Sequence, residues 1–400
     1  MLFVKVDNLK AGMRLARPIY EKNGVLLYER NSKLTAQGVI SVRNFGLIGI
    51  YILEPAEPLP PMTEDDIAFE RFQAMCVFSL REELTTMLEM KKAPKMFTIA
   101  NQVIRNYGRL DRKLNFVQNL RSKEDYLYKH SLNVAVLSAL ISNTLHLSKS
   151  EQFDTVVASI VHDIGKAKRP EIAMDRDSLT MEEKRQIREK EIAGYDVFDQ
   201  MFATNPGIKR ICVQTQKWLE NFEDEEANNF VKLVMGAKIL VVAETFDILT
   251  AMKYGKEPAS EVAAIRYLQE NPEVFDPDVV NALIHSIHVL SPGTCIEMNT
   301  GRKGLVLVEN EQDFLKPLVL LFDDNRVIDL SSPGSSQGME IKDVMKTLDN
   351  RYVMDRELLQ KSGYLVEEPK YIQPGKEVTV HQESVEMDDL EEEYVPGMDL

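Results

Sequence analysis

The adjacent pair His162-Asp163 constrains this 400-residue chain more than any other feature. It follows Phe153-Asp154-Thr155-Val156-Val157-Ala158-Ser159-Ile160-Val161, a run apolar enough for a buried helix. An imidazole and a carboxylate at the buried end of such a helix are costly unless something coordinates or hydrogen-bonds them. A divalent metal satisfies both, so the rest of the chain must be searched for a coordination shell. The chain has only six histidines. His130 lies in the apolar stretch 126–142, which is broad enough for a largely buried helix. Taken alone, it reads more readily as a core histidine bonded to a carbonyl than as a ligand. For a carboxylate, Val242-Ala243-Glu244-Thr245-Phe246-Asp247 carries two acids three apart in an apolar stretch, sharing a helical face. One can face a metal while the other bonds backbone or a supporting group.

The fold class expected is mainly α, with small β-rich modules at either end. In 1–60, Arg14–Tyr20 and Val25–Tyr28 read as extended segments around Glu21-Lys22-Asn23-Gly24, whose Asn-Gly favours a hairpin. Ile48–Leu53 reads as a further strand, and the proline-rich 55–61 as a linker. A linker and helical segment over 61–115 lead into a helical domain over 116–290. Within it, Ser148-x-x-Glu151 and Thr180-x-x-Glu183 are capping boxes that set helix starts. The stretch 232–252 reads as a buried helix, and Asp276-Pro277 opens another. After Pro292 the pattern changes to strands at 304–308 and 317–322 with a turn at Asp323-Asp324-Asn325, giving a β module over 291–332. The remainder, 333–400, is weakly patterned and ends in an acidic tail from Glu383 to Asp399, read as a solvated end.

Composition excludes several function classes. A net charge of −15 argues against a duplex nucleic-acid surface, where phosphate neutralisation dominates affinity. No apolar run approaches the roughly 20 residues of a membrane span, and the N-terminus lacks the features of a signal peptide. Cys76, Cys212 and Cys295 form neither a zinc motif nor a disulfide framework, which fits a reducing, cytoplasmic setting.

The order His130, then His162-Asp163-Ile164-Gly165-Lys166, then Glu244 resembles the HD superfamily of metal-dependent phosphohydrolases, and most closely its HD-GYP branch. Lys129–Ala135 resembles that branch's opening helix and 242–250 its closing helix. The likeness continues through Ser260–Ile265 and Phe275-Asp276-Pro277, covering about 120–290. It implies an α-helical domain that hydrolyses cyclic di-GMP with two or three metals, usually iron or manganese. It also implies His130, His162, Asp163 and Glu244 as the ligands of one metal, with Asp163 serving a water and Lys166 lying beside the substrate phosphate.

This chain departs from that pattern. Lys190 stands where the branch has a histidine, and 213–220 contains no histidine where the branch has a His-His-Glu cluster. No Gly-Tyr-Pro occurs, Gly194-Tyr195 lies in a different segment, and the closing aspartate is Glu244. The expectation is therefore a degenerate member with reduced or no cyclic di-GMP hydrolysis, holding one divalent transition metal or none. The alternative is an active one-metal phosphohydrolase acting on a nucleotide ester. Partners expected are a cyclic dinucleotide or other phosphate ligand, and a signalling protein. For Lys166 a second reading stands beside the phosphate role, that of a partly exposed lysine complementing a helix end after a C-cap glycine. His285 and His288 share a helical face but have no third partner, and His146 and His381 carry no signal.

Overall fold

Local sequence sets the helix starts. Ser148 and Thr180 each accept a hydrogen bond from the backbone three residues on, while Glu151 and Glu183 reach back to the cap. Thr63 and Asp66 make a third such box. The computed structural model describes residues 2–20, 25–53, 63–168, 179–223, 232–253 and 257–345. The Asn23-Gly24 turn, the proline-rich linker and the acidic tail lie outside these residues.

The chain divides into two compact units. Of the described residues, one draws on those up to 53, on 112–126 and on those from 245 onward, the other on those between 63 and 111 and between 127 and 244. In the first, strands β1 (Leu2–Lys5), β2 (Arg14–Leu15) and β5 (Gly49–Leu53) form an antiparallel sheet in the order β1-β5-β2. Strands β3 (Ile19–Tyr20) and β4 (Leu26–Tyr28) pair antiparallel, as the flanks of the expected hairpin should. A helix absent from the sequence expectation, α1 (Ala36–Asn44), is capped by Thr35 and buries Val39 and Val42 in the same core as Leu15, Ile50 and Ile52.

The second sheet of this unit has the order β10-β6-β7-β8-β9 and is antiparallel throughout. Its strands are β6 (Cys295–Met298), β7 (Lys303–Val308), β8 (Leu318–Leu321), β9 (Val327–Asp329) and β10 (Ile341–Val344). The fifth strand lies past the boundary expected at 332. Ile341 is buried on β6 with Met298, whereas Lys342 is exposed and Asp343 half-buried, so this edge strand offers little apolar alternation. Helices α10 (Glu261–Glu270), α11 (Pro277–Ser286) and α12 (Pro333–Ser336) also belong here, α11 opening on the Asp276 cap with proline in its first turn.

The second unit is helical. It contains α2 (Glu64–Met90), α3 (Met96–Tyr107), most of α4 (Tyr126–Thr144), α5 (Lys149–Val161), α6 (Met181–Gly194), α7 (Phe198–Met201), α8 (Pro206–Glu223) and the first part of α9 (Met235–Thr250). From Gln152 onward α5 is buried at almost every position, which makes it the centre of this unit. α3 packs one stripe inward: Met96, Ile99, Ala100, Val103, Ile104 and Tyr107, the spacing of one helical face. α8 turns Ile208, Ile211, Cys212, Thr215, Gln216 and Leu219 inward, a stripe that includes polar side chains. Gly236 brings α9 close, since a Cβ there would meet Ile211 Cδ1 and Thr155 Oγ1, each at 2.6 Å. No helix of the described residues is long and apolar enough to cross a membrane.

Candidate metal centre

Three buried helices bring the four sequence-predicted ligands together. His130 comes from α4, Glu244 from α9, and His162-Asp163 from the turn that ends α5. One donor atom from each lies within 4.8 Å of the others. All are buried: His162 and Glu244 are 0% exposed, His130 2% and Asp163 3%. His130 Nε2 stands 3.6 Å from Asp163 Oδ2, and His162 Nε2 is 3.7 Å from Asp163 Oδ1 and 3.9 Å from Glu244 Oε2. These separations are too long for hydrogen bonds. Ligands about 2.1 Å from a shared ion sit roughly 3–3.5 Å apart, so the observed spacing closes on one ion with small side-chain movement.

The His162 ring supports this fit. Its Nδ1–H donates to the Ser159 carbonyl at 2.8 Å, a bond that leaves the lone pair on Nε2. Among the described residues Nε2 has no hydrogen-bond partner although it is fully buried. Burial, with His130 and Lys166 nearby, lowers the His162 pKa against the pull of Asp163 and Glu244. A neutral imidazole is the form a metal requires. Ser159 is itself fixed, its hydroxyl bonding Thr155 O and Ser138 Oγ at 2.8 Å each, which ties α5 to α4. The donor set, two imidazoles and two carboxylates, suits a divalent transition metal.

Lys166 is buried, at 7% exposure, rather than partly exposed. Its Nζ lies 2.5 Å from Asp163 Oδ1 and 4.0 Å from Glu191 Oε1. Burial by itself would raise the Asp163 carboxyl, but Lys166, followed by the two imidazoles, outweighs it and holds the group far below the usual carboxylate range. Gly165 is not a helix C-cap glycine: α5 ends at Val161, and Ile164–Lys168 forms a 3-10 turn. The glycine serves close packing instead, since a Cβ there would meet Glu191 Cγ at 2.8 Å.

Two residues beside the cluster escaped the sequence reading. Glu191, on α6, is 2% exposed and faces Lys166, whereas Lys190 next to it is exposed. Tyr195, in the 3-10 turn after α6, is fully buried and donates its hydroxyl to the His162 carbonyl, bracing the backbone of the pair. Burial raises its phenol pKa, so it remains a donor. Gly194-Tyr195 is thus a structural support and no substrate loop. Cys212, on α8, is buried near the acids; burial, then Asp163, raises its thiol pKa.

The second acid of α9 has a separate role. Asp247 accepts from Arg121 Nη2 at 2.6 and 2.7 Å and from Gln118 Nε2 at 2.9 Å, all within the other unit. His285 and His288 do not share a helix: α11 ends at Ser286, and His288 Nδ1 lies 2.9 Å from Glu309 Oε1.

Residues 116–279 match the HD domain family. The cyclic di-GMP phosphodiesterase PA4108 of Pseudomonas aeruginosa is 23% identical over 226 residues, covering 54% of this chain and 55% of that protein. The match therefore spans about half the length of this curated relative. Among solved structures, Bd1817, a HDG"Y"P protein from Bdellovibrio bacteriovorus, is similar at a TM-score of 0.40 and 14% identity, over 70% of this chain and 97% of that one.

Proposed function

We propose, from the match of residues 116–279 to the HD domain family, that this chain is a one-metal member of the HD-GYP branch. It binds a cyclic dinucleotide or another phosphate ligand in bacterial signalling and cleaves cyclic di-GMP slowly or not at all. The observation that carries this reading is the donor set. Among the described residues only His130, His162, Asp163 and Glu244 gather as a group of candidate ligands. Where the family resemblance would supply further histidines, α6 offers Lys190 at the surface and α8 offers Thr215, Gln216 and Glu220. The activity of the PA4108 relative supports the ligand class.

These four residues would hold the ion, iron or manganese by resemblance, which when bound supplies Lewis acidity and a more acidic water. The protein groups have their own parts. Ser159 fixes the His162 ring so that Nε2 faces the cluster. Asp163 stays ionised and can accept a hydrogen bond that orients a water. Lys166 carries the positive charge closest to Asp163 and can share it with a phosphate oxygen. A protein partner would read the liganded state.

Elemental analysis of anaerobically purified protein tests the stoichiometry. The expected result is at most one tightly bound transition metal per chain, lost in His162→Ala; two or more in the wild type would overturn the reading. Cyclic di-GMP turnover is expected to be absent or far below that of a complete family member assayed alongside. A second reading, an active one-metal phosphohydrolase, is favoured by the intact pairing of Asp163 with Lys166. Rapid metal-dependent hydrolysis abolished by Asp163→Asn would establish it in place of the first.

A further inference from the structure

Helix α2 (Glu64–Met90) presents two faces. One is buried, turning Phe69, Cys76, Val77, Leu80, Leu84 and Met87 into the helical unit. Phe69 meets the Tyr107 ring of α3 edge-on, with centroids 5.4 Å apart. The opposite face is not purely polar, since Met75 is 58% and Phe78 41% exposed. Two large apolar side chains one turn apart in solvent, on a helix whose core face is already covered, call for a partner.

The exposed positions run Ala68, Arg71, Met75, Phe78, Glu82 and Thr85, at alternating spacings of three and four residues. That is the repeat by which one helix packs along another. The stripe is also symmetric. Counted from the midpoint between Cys76 and Val77, Met75 matches Phe78, Arg71 matches Glu82 and Ala68 matches Thr85. A second α2 laid antiparallel across a two-fold axis at that midpoint brings the apolar pairs together at the centre. It also sets Arg71 of each copy opposite Glu82 of the other. Parallel copies would instead set Arg71 against Arg71 and Glu82 against Glu82. Within one helix these two charges are eleven residues, about 16 Å, apart and cannot satisfy each other. Glu82 Oε2 lies 3.7 Å from Lys95 Nζ with both side chains well exposed, a pair too weak to hold the carboxylate. Further out Glu64 would oppose Glu89, which limits the seam to 68–85, about 25 Å of helix.

We propose that this face of α2 is an isologous interface whose partner is a second copy of this chain, running antiparallel. The charge pattern selects the occupant: with Arg71 and Glu82 equally far from an apolar centre, the stripe is complementary to itself. The interface involves no residue of the metal centre and goes beyond the proposed activity. Contact along one helix pair is small beside a standard interface of about 1,600 Å², so the dimer should dissociate in the micromolar range.

Sedimentation velocity of the full chain at low salt, from about 1 to about 200 μM, tests this. The wild type should pass from monomer to dimer across that range. Phe78→Asp, at an exposed position, should stay monomeric with an unchanged circular dichroism spectrum; Met75→Lys repeats the test should that variant fail to fold. Arg71→Glu and Glu82→Arg should each weaken association by about tenfold, because each places like charges across both ends of the seam. Both reversals in one chain should restore wild-type association, since opposite charges then face each other again. A wild type that remains monomeric throughout overturns the proposal and leaves the stripe to a partner of another sequence. A dimer that persists in Phe78→Asp overturns it as well, because association then uses another face. Single reversals that dimerise like the wild type, or a double reversal that fails to recover, overturn the antiparallel pairing.

Discussion

Lys166 shows how burial changes what one residue can do. A lysine exposed after a helix end would contribute a few tenths of a kcal/mol to stability, whereas this one is 7% exposed and 2.5 Å from Asp163. Removing one partner of a buried ion pair leaves the other charge uncompensated, at a cost of about 3–5 kcal/mol. Lys166→Ala should therefore lower the unfolding free energy of metal-free protein by about that amount, and added metal should recover part of it. A change below about 0.5 kcal/mol in urea unfolding would show the lysine to be solvated in solution. The His-Asp pair was legible because two ligand-type side chains ended an apolar run. Glu191 was not, because α6 also carries Glu182, Glu183 and Glu189, all exposed, and nothing in its spacing marks one glutamate as buried. Its burial comes from contact with Gly165, a tertiary fact. Tyr195 was passed over similarly, since an aromatic after a glycine reads as core whether or not its hydroxyl braces a ligand's backbone.

Among the elements, the turn Ile164–Lys168 depends most on a single side-chain size. A methyl group at position 165 would sit 2.8 Å from Glu191 Cγ and 3.3 Å from Glu191 Cα. The second contact is backbone, so rotation of the glutamate cannot relieve both. Gly165→Ala should destabilise the protein by about 1–3 kcal/mol and displace α6 from the turn, measurable as a lower melting temperature with reduced metal uptake. Full uptake with an unchanged melting temperature would mean that α6 does not press on the turn. Helix starts were the best-read elements, because the Ser148 and Thr180 capping boxes and the Asp276-Pro277 start are local chemistry. Strand β10 and helix α1 were not, since each is defined by what it packs against. Ile341 and Val39 anchor them, and neither stands out in a polar neighbourhood.

For the molecule as a whole, the expected class, helices with small β modules, corresponds to the architecture observed. The two acids of α9 show how finely its parts are divided: Glu244 serves the cluster, while Asp247, three residues on, belongs to an ion pair in the other unit. Arg121 and Asp247 are fully buried, and the guanidinium also lies 4.8 Å from the Tyr126 ring centroid. Arg121→Met should cost about 3–5 kcal/mol, because it strands a buried carboxylate. Combining it with Asp247→Leu should recover much of that loss, since neither charge then remains. Denaturant melts of the two single variants and the double variant check this; strictly additive losses would show that the residues act independently. Cys212 carries a consequence of another kind. It and Cys76 are shielded thiols, while Cys295 is half-buried. A thiol reagent applied to native protein should thus label one site per chain quickly and the other two only as helices part. The lag at Cys212 is a clock for the opening of α8 beside the cluster, readable by mass spectrometry without any ligand, and metal loading should slow it.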